Sequence, residues 1–104
     1  MALTITSHQE EEVIHVKVSG EVDVSCANEL RDALAEAQGH EPQRVVVDLA
    51  DVPYIDSTGI GVLVGAARRA REGHSRFEVA NPQRNVARVL SLLGVGAELG
   101  VTGA

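Results

Sequence analysis

Residues 45–65, VVVDLADVPYIDSTGIGVLVG, decide how this chain folds. The segment opens on three consecutive valines, a run typical of a strand buried in the middle of a parallel sheet, where neither face is polar. A turn follows at Pro53. After the turn, apolar side chains recur at the spacing of one helical face: Ile60, Leu63, Val64 and Ala67. The segment therefore predicts a buried strand, a loop and a helix.

The predicted helix begins at a run of small polar side chains. Asp56 or Ser57 stands where a helix start needs a side-chain oxygen to accept free backbone N–H groups. Three glycines follow within or beside the helix: Gly59, Gly61 and Gly65. Each costs about 1 kcal/mol against alanine in a helix interior. Two interpretations stay open: either a partner approaches this bare backbone closely, or the glycines pack against the chain's own sheet.

The composition is that of a globular protein with an aliphatic core. A length of 104 residues suits one domain, which we predict over residues 1–104. Hydrophobic residues make up 44% and aromatic residues only 2%, so valine, leucine, isoleucine and alanine must fill the core. The formal net charge of −6 argues against direct binding to nucleic acid, which needs a basic surface.

The sequence also predicts where the protein works. The N-terminal stretch MALTITSHQEEE has neither the basic segment nor the apolar run of a signal peptide. Nothing approaches the run of about 18 apolar residues that a membrane span needs. The one cysteine, Cys26, allows no internal disulfide, which suits a reducing compartment. We therefore expect a cytoplasmic protein without a membrane span.

The first part of the chain predicts a β-hairpin followed by a helix. Residues 3–6 and 13–19 alternate as strands, and the acidic residues 8–12 form the turn between them. A helix capped by Ser25 runs to about Gln38. This hairpin should lie at the edge of the sheet.

The second part predicts alternating strands and helices. Residues 76–80 alternate as a strand, and Asn81 and Pro82 read as the cap and first-turn proline of a helix that ends at Gly94. The apolar stripe of this helix consists of Val86, Val89, Leu90 and Leu93. Residues 97–101 read as a last short strand. The fold class is therefore α/β, with a mixed sheet, an N-terminal hairpin and about three packed helices.

Two loops with acidic residues follow predicted strands. Asp23 lies in the loop after the hairpin, and Asp56 lies with Ser57 and Thr58 in the loop after the valine strand. In open α/β sheets, ligands usually bind at the carboxyl ends of the strands, so these loops are the candidate site. A carboxylate in Asp23's position is more often a loop or capping group than a functional one.

The motifs of common enzymes are missing. Ser57 does not lie in a G-x-S-x-G elbow, and no histidine is near it in sequence to act as a base. Neither G-x-G-x-x-G nor G-x-x-x-x-G-K-S/T is present. The histidine spacings form no metal motif and Cys26 stands alone. The sequence therefore predicts no catalytic residue, no metal site and no cofactor.

Two motifs resemble those of one family. Residues 56–61, DSTGIG, resemble the Asp-Ser-Ser/Thr-Gly-Leu/Ile-Gly run of the STAS family, the sulphate-transporter and anti-sigma-factor-antagonist domains. Residues 20–23, GEVD, resemble the segment that precedes the first helix in that family. The order of elements agrees over nearly all of residues 3–101, and the chain looks most like the free-standing bacterial anti-sigma factor antagonists. Family members usually carry a further C-terminal helix, which we expect to be missing here.

The resemblance implies a phosphorylation switch and not an enzyme. The dephosphorylated antagonist binds an anti-sigma factor with serine kinase activity, which frees a sigma factor. Phosphorylation of the serine after the aspartate, here Ser57, blocks binding, and a PP2C-type phosphatase reverses it. The residues implied in partner binding are Asp23, Asp56, Ser57, Thr58, Gly59 and Gly61.

Two other functions remain open. The chain is alternatively a STAS subunit that is never phosphorylated and belongs to a larger assembly, such as a lipid-transport ABC complex or a stress-sensing complex. The third interpretation is nucleotide binding or hydrolysis by the domain itself. Incubation with ATP and a kinase separates the first two, and a turnover assay tests the third.

Overall fold

The order of strands in the sheet follows their order in the chain. The computed structural model describes residues 3–103, so the first two residues and the last residue of the predicted domain lie outside the description. The five strands are β1 (Thr4–Glu10), β2 (Val13–Ser19), β3 (Arg44–Asp51), β4 (Arg76–Ala80) and β5 (Val101–Thr102). β1 pairs antiparallel with β2, and the other neighbours pair parallel. The predicted mixed sheet with a hairpin at its edge is confirmed.

Helices connect the parallel strands. They are α1 (Ala27–Gly39), α2 (Ser57–Glu72), α3 (Arg84–Leu92) and the single turn α4 (Gly96–Leu99). Because each connection steps to the next strand in the same direction, right-handed crossovers place the helices on one face of the sheet. α1 packs beside α2, and α2 lies against β4 and α4. Among residues 3–103, no helix has the length and apolar character that crossing a bilayer requires.

The core lies between the sheet and these helices. The strand register places Ile14, Val45 and Phe77 in one row across β2, β3 and β4. The next row consists of Val16, Val47 and Val79. All six side chains are buried. Full burial of one such side chain stabilises the fold by about 1.5–3 kcal/mol, so these two rows hold the sheet to its helices.

The opposite face of the sheet is polar. Lys17 Nζ lies 3.7 Å from Asp48 Oδ2 and 3.4 Å from Asp51 Oδ2. Val46 points to this face because side chains alternate along a strand, and it lies in register between His15 and Glu78. All three valines of the opening run are buried, as predicted, but the middle one is covered by polar neighbours and not by a second layer of helices.

The first strand is longer than predicted. All of residues 4–10 pair with β2, so only Glu11 and Glu12 remain for the turn, and Glu11 adopts a φ of 57°. Local composition favours a turn over residues 8–12, but pairing with β2 outweighs that preference. The predicted bounds of β2 and β4 are confirmed.

Two predicted helix starts are wrong because the capping residues bind elsewhere. α1 begins at Ala27 without a side-chain cap, and the Ser25 hydroxyl donates to Asp23 Oδ1 instead. The Asn81 N–H donates to the Thr102 carbonyl at 2.8 Å, so Asn81 belongs to the end of the sheet. α3 therefore begins only at Arg84.

The predictions for α3 and for the strand that follows it are only partly confirmed. Val86 and Leu90 of α3 are buried as predicted, but Val89 and Leu93 are exposed. The predicted strand over residues 97–101 is mostly the turn of α4, and only Val101 and Thr102 pair with β4.

Candidate functional site

The two acidic loops meet at the carboxyl ends of β2 and β3. Val22 and Ile55 form an isolated parallel bridge. The Val22 N–H donates to the Tyr54 carbonyl at 2.9 Å, and the Asp56 N–H donates to the Val22 carbonyl at 3.0 Å. This bridge extends the pairing of the two strands into the loops and places Asp23 and Asp56 side by side.

Asp56 joins the two loops through its side chain. It is the N-cap of α2, with extended backbone, and its Oδ1 accepts a hydrogen bond from the Gly59 N–H at 3.0 Å. Its Oδ2 accepts a hydrogen bond from the Val24 N–H, also at 3.0 Å. The sequence left Asp56 or Ser57 as the cap, and the structure assigns the cap to Asp56. One carboxylate thus starts the helix and holds the neighbouring loop.

Ser57 and Thr58 form the start of α2 and are both exposed. A helix start carries free N–H groups and the positive end of the helix dipole, so this position favours a negatively charged group. The Ser57 hydroxyl is therefore reachable by another protein and lies where a phosphate is well accommodated.

Asp23 shapes its own loop. Its Oδ1 accepts hydrogen bonds from the hydroxyl of Ser25 and from the Ser25 N–H at 2.9 Å. The Ser25 hydroxyl, followed by the Ser25 N–H, holds the pKa of the Asp23 carboxyl below its ordinary value. The thiol of Cys26 lies 3.6 Å from the same oxygen. Asp23 therefore stabilises the turn before α1 without capping that helix, and its part in partner binding stays a prediction.

Gly59 and Gly61 differ in their surroundings, and only the packing interpretation is tested by the structure. Gly59 is buried, and a Cβ there would lie 2.6 Å from Val22 Cγ1 and 2.8 Å from Ile55 Cγ1. This glycine packs beneath the bridge between the loops. Gly61 is exposed, and a Cβ there would meet open space. Gly61 leaves bare backbone on the outer surface of α2.

Two apolar side chains beside this site were missed by the sequence reasoning. Val24 is 72% exposed and Tyr54 is 49% exposed, and both lie on the bridged loops. Tyr54 precedes the buried Ile55, so simple alternation predicts that it points outward. For Val24, the signal is a valine within an otherwise polar capping turn. Both side chains leave apolar area exposed on the two loops that carry the candidate site.

α3 is attached to the same loop. The Asn85 side-chain amide donates to the Pro53 carbonyl at 2.7 Å, and the Gln83 amide donates to the Ala50 carbonyl at 3.0 Å.

Within residues 3–103, no group of three or more histidine, cysteine or acidic side chains is arranged to hold a metal ion. The arrangement offers an exposed hydroxyl on a rigid support.

The fold and the two bridged loops agree with a single family. The protein-family model described as "Mlab, STAS domain" matches residues 5–101. The chain therefore belongs to the STAS domain family, as the motifs at residues 20–23 and 56–61 indicated.

The proteins to which this chain is similar have names that are more specific than the family name. The "Anti-sigma-B factor antagonist" of Staphylococcus epidermidis is 30% identical over 95 residues, which cover 91% of this chain and 88% of that protein. The protein of the same name from Staphylococcus aureus strain NCTC 8325 is 27% identical over the same shares. The crystal structure of an anti-sigma factor antagonist from Mycobacterium paratuberculosis superposes with a TM-score of 0.89 at 22% identity, covering 99% of this chain and 87% of that one. The phosphorylated Bacillus cell fate determinant SpoIIAA gives a TM-score of 0.76 at 18% identity, covering 97% and 91%.

Proposed function

We propose that this protein is an anti-sigma factor antagonist that works by partner switching, with Ser57 as the phosphorylated residue. The observation that carries the proposal is the exposed Ser57 hydroxyl in the first turn of α2, directly after the cap Asp56. The curated relatives that are 27% and 30% identical over most of both chains carry the same functional name. In this function the chain is a substrate and a binding module and not an enzyme.

The helix start lets the domain carry a phosphate without refolding. A phosphoryl group adds about −1.5 to −2 charge, and a helix N-terminus stabilises such a charge. Both oxygens of Asp56 already accept backbone hydrogen bonds, so the cap stays in place beside the modified serine. We therefore expect the phosphorylated and unphosphorylated forms to share one fold.

In this proposal, phosphorylation weakens the binding of the partner and leaves the fold of this chain unchanged. A partner that packs on Val24, Tyr54 and the bare backbone of Gly61 removes water from the Ser57 side chain. A phosphate there lies beside the Asp56 carboxylate and loses its hydration when the partner packs over it. An interface with an unpaired, desolvated charge loses several kcal/mol of binding free energy.

The site residues have different roles in this proposal. Ser57, Thr58 and Gly61 contact the partner directly, since all three are exposed. Asp23 and Asp56 hold the two loops in the geometry that the partner recognises. Gly59, which is buried, supports the bridge from below and does not contact the partner itself.

The partners follow from the same proposal. We propose an anti-sigma factor with serine kinase activity and a PP2C-type phosphatase, all acting in the cytoplasm, with residues 1–104 forming one STAS domain. Direct contact with nucleic acid is not part of the function, because the net charge is −6.

A second function is a STAS subunit that is never phosphorylated. The observation in its favour is that a similar fold occurs inside a larger protein, the murine anion transporter Slc26a9, with a TM-score of 0.78 at 16% identity over 93% of this chain and 17% of that one. In this case the same exposed surface binds a permanent neighbour.

One experiment separates the two functions. The protein is incubated with ATP and a candidate anti-sigma factor kinase from the same organism, and its intact mass is measured before and after addition of a PP2C-type phosphatase. The switch predicts the gain of one phosphate on the peptide that contains Ser57, its removal by the phosphatase, and no gain in Ser57→Ala. An unchanged mass in the presence of a kinase that modifies other substrates supports the permanent subunit instead.

A further inference from the structure

The two edges of the sheet differ in what they offer to another chain. β5, at one edge, has two residues, whereas β1, at the other, has seven. In an antiparallel pair, every second residue of a strand points its N–H and C=O groups away from its neighbour. β1 has a neighbour on one side only, so its outer side presents a row of backbone groups ready to pair.

The usual protections of an edge strand are missing from β1. The strand TITSHQE contains no lysine and no proline, and its register with β2 is continuous from Thr4 to Glu10 without a bulge. Six of its seven residues are exposed, and Ile5 is half-buried. Proteins commonly shield such an edge with lysine, proline or a bulge, and β1, whose acidic residue Glu10 lies at its end, is a candidate for strand addition.

A groove runs beside this edge on the helix side of the sheet. Ile5, Ser7 and Gln9 form its strand wall, and Glu29, Ala33 and Glu36 form its wall on α1. The strand residues alternate at the spacing of two that a neighbouring strand's side chains would match. Glu29, Glu36 and His40 are the ionisable side chains that line the groove, and no lysine or arginine from residues 3–103 does.

We propose that β1 accepts an added strand from a partner protein, in a segment whose groove-facing side chains, every second residue, include both apolar and basic ones. Backbone hydrogen bonds to β1 supply the affinity, and the groove supplies the selectivity. Apolar side chains of the added strand lie against Ile5 and Ala33. Basic side chains reach Glu29 and Glu36, which are surface carboxylates on the same helix face.

A second copy of this chain is a poorer occupant. Each copy carries a net charge of −6. A two-fold pairing of β1 with β1 would merge the two grooves and bring the Glu29 and Glu36 side chains of both copies towards each other. Like charges across an interface disfavour association, so charge complementarity selects a basic partner.

This surface is separate from the loops that carry Ser57. None of the groove residues belongs to residues 20–25 or 54–58. The proposal therefore does not rest on the switch described above, and a variant of Ser57 tells the two surfaces apart.

The test uses nine-residue peptides with threonine at every second position, in which the remaining, groove-facing positions carry valine in alternation with lysine, serine or glutamate. Each is titrated into the full chain by calorimetry, with NMR to locate the site. We expect the lysine peptide to bind about tenfold more tightly than the serine peptide and the glutamate peptide to bind least. Methylation of alternate peptide nitrogens should abolish binding, since it removes the donors that pair with β1.

Matched variants test the groove. Glu29→Lys and Glu36→Lys, each alone, should weaken binding of the lysine peptide at least about tenfold, whereas Asp32→Lys, an equal change of charge at an exposed α1 position outside the groove, should change it less than about threefold. Ser57→Asp should leave peptide binding unchanged.

Four results would each overturn the proposal. The lysine peptide could fail to bind, or the methylated peptide could bind as tightly as the unmethylated one. Asp32→Lys could weaken peptide binding as much as the groove variants do, or Ser57→Asp could abolish peptide binding. A dimer in sedimentation whose β1 amides are protected from hydrogen exchange would also overturn it, because a second copy would then occupy the edge.

Discussion

The side chain of Asp56 accepts a hydrogen bond at 3.0 Å from the backbone of Val24, a residue 32 positions earlier in the chain. The other oxygen of the same carboxylate caps α2 through Gly59. The loop before α1 and the first turn of α2 are thus held by one group. Whatever changes Asp56 changes the geometry of both loops, although Ser57 itself is untouched.

Removal of the Asp56 carboxylate should destabilise the protein. Asp56→Ala loses the helix cap and the bond to Val24, and we expect the free energy of unfolding to fall by about 2 kcal/mol in urea denaturation. Asp56→Asn keeps one side-chain oxygen to accept the Gly59 N–H but has no second oxygen for the Val24 N–H. Its free energy of unfolding should therefore fall by about half as much as that of Asp56→Ala. The control is Asp51→Ala, which breaks an exposed ion pair with Lys17 and should cost less than about 1 kcal/mol. Equal losses at positions 51 and 56 would contradict the joint role of Asp56.

Gly59 and Gly61, two of the three glycines of α2, should respond in opposite ways to the same change. Gly59→Ala forces a methyl group against Val22 and Ile55, at 2.6 and 2.8 Å, and should destabilise the fold by about 1–3 kcal/mol. Gly61→Ala adds the same methyl group in open space on a helix and should stabilise it by up to about 1 kcal/mol. Thermal unfolding of the pair measures both. A stabilising Gly59→Ala would show that the bridge above it is not closely packed.

Gly61 also tests the binding surface. Gly61→Leu should weaken binding to the anti-sigma factor kinase by about tenfold or more, because it fills the bare backbone that the partner approaches, and it should barely lower the melting temperature. Surface plasmon resonance measures the binding affinity, and thermal unfolding measures the melting temperature. Leu92→Ala, which changes an exposed side chain near the end of α3, is the comparison variant. If Gly61→Leu affects the melting temperature and leaves binding intact, the glycine serves the helix and not a partner.

Substitutions of Ser57 should reproduce the two states of the switch. Ser57→Ala should bind the kinase partner constitutively, and Ser57→Asp should bind at least about tenfold more weakly, since it places a second carboxylate beside Asp56. Both should unfold at nearly the same temperature as the unmodified protein, because the side chain is exposed. Equal binding by the two variants would remove the proposed switch.

The stability that Asp23 contributes should depend on pH. Its folded-state pKa is lowered, chiefly by the Ser25 hydroxyl, so its contribution is complete above the ordinary value near about pH 4 and is lost as the pH falls through the lowered folded-state pKa. Ser25→Ala should raise the pKa of Asp23 towards its ordinary value, as followed by NMR titration of the carboxyl group. The stability difference between the two proteins should then shrink on acidification. Ser91→Ala, at an exposed position on α3, should leave the Asp23 titration unchanged.

The periodicity of apolar residues predicted most of the fold, because it reflects directly which side chains are buried. Ile14, Val16 and Val18 alternate and are buried, and the predicted bounds of β2 match the structure. The placement of Ser57 in the first turn of α2 followed from the small polar run before an apolar stripe, and it is confirmed. These features depend on neighbours within a few positions.

Features that depend on distant parts of the chain were missed. Asn81 is a good local cap, yet its backbone N–H pairs with the distant Thr102. The bond between Asp56 and Val24 exists only because the Val22–Ile55 bridge brings the loops together. No pattern within one segment contains that information.

The matching order of strands in the chain and in the sheet has a consequence for synthesis on the ribosome. Each new strand meets a neighbour that is already outside the exit tunnel, and none has to wait for a later segment. The loops around Ser57 need only the chain as far as the first turns of α2, so their mutual contacts should form before β4 and β5 have been translated. A pulse-labelling study of stalled nascent chains should therefore find the Val22–Ile55 contact in place while the C-terminal part of the sheet is still missing.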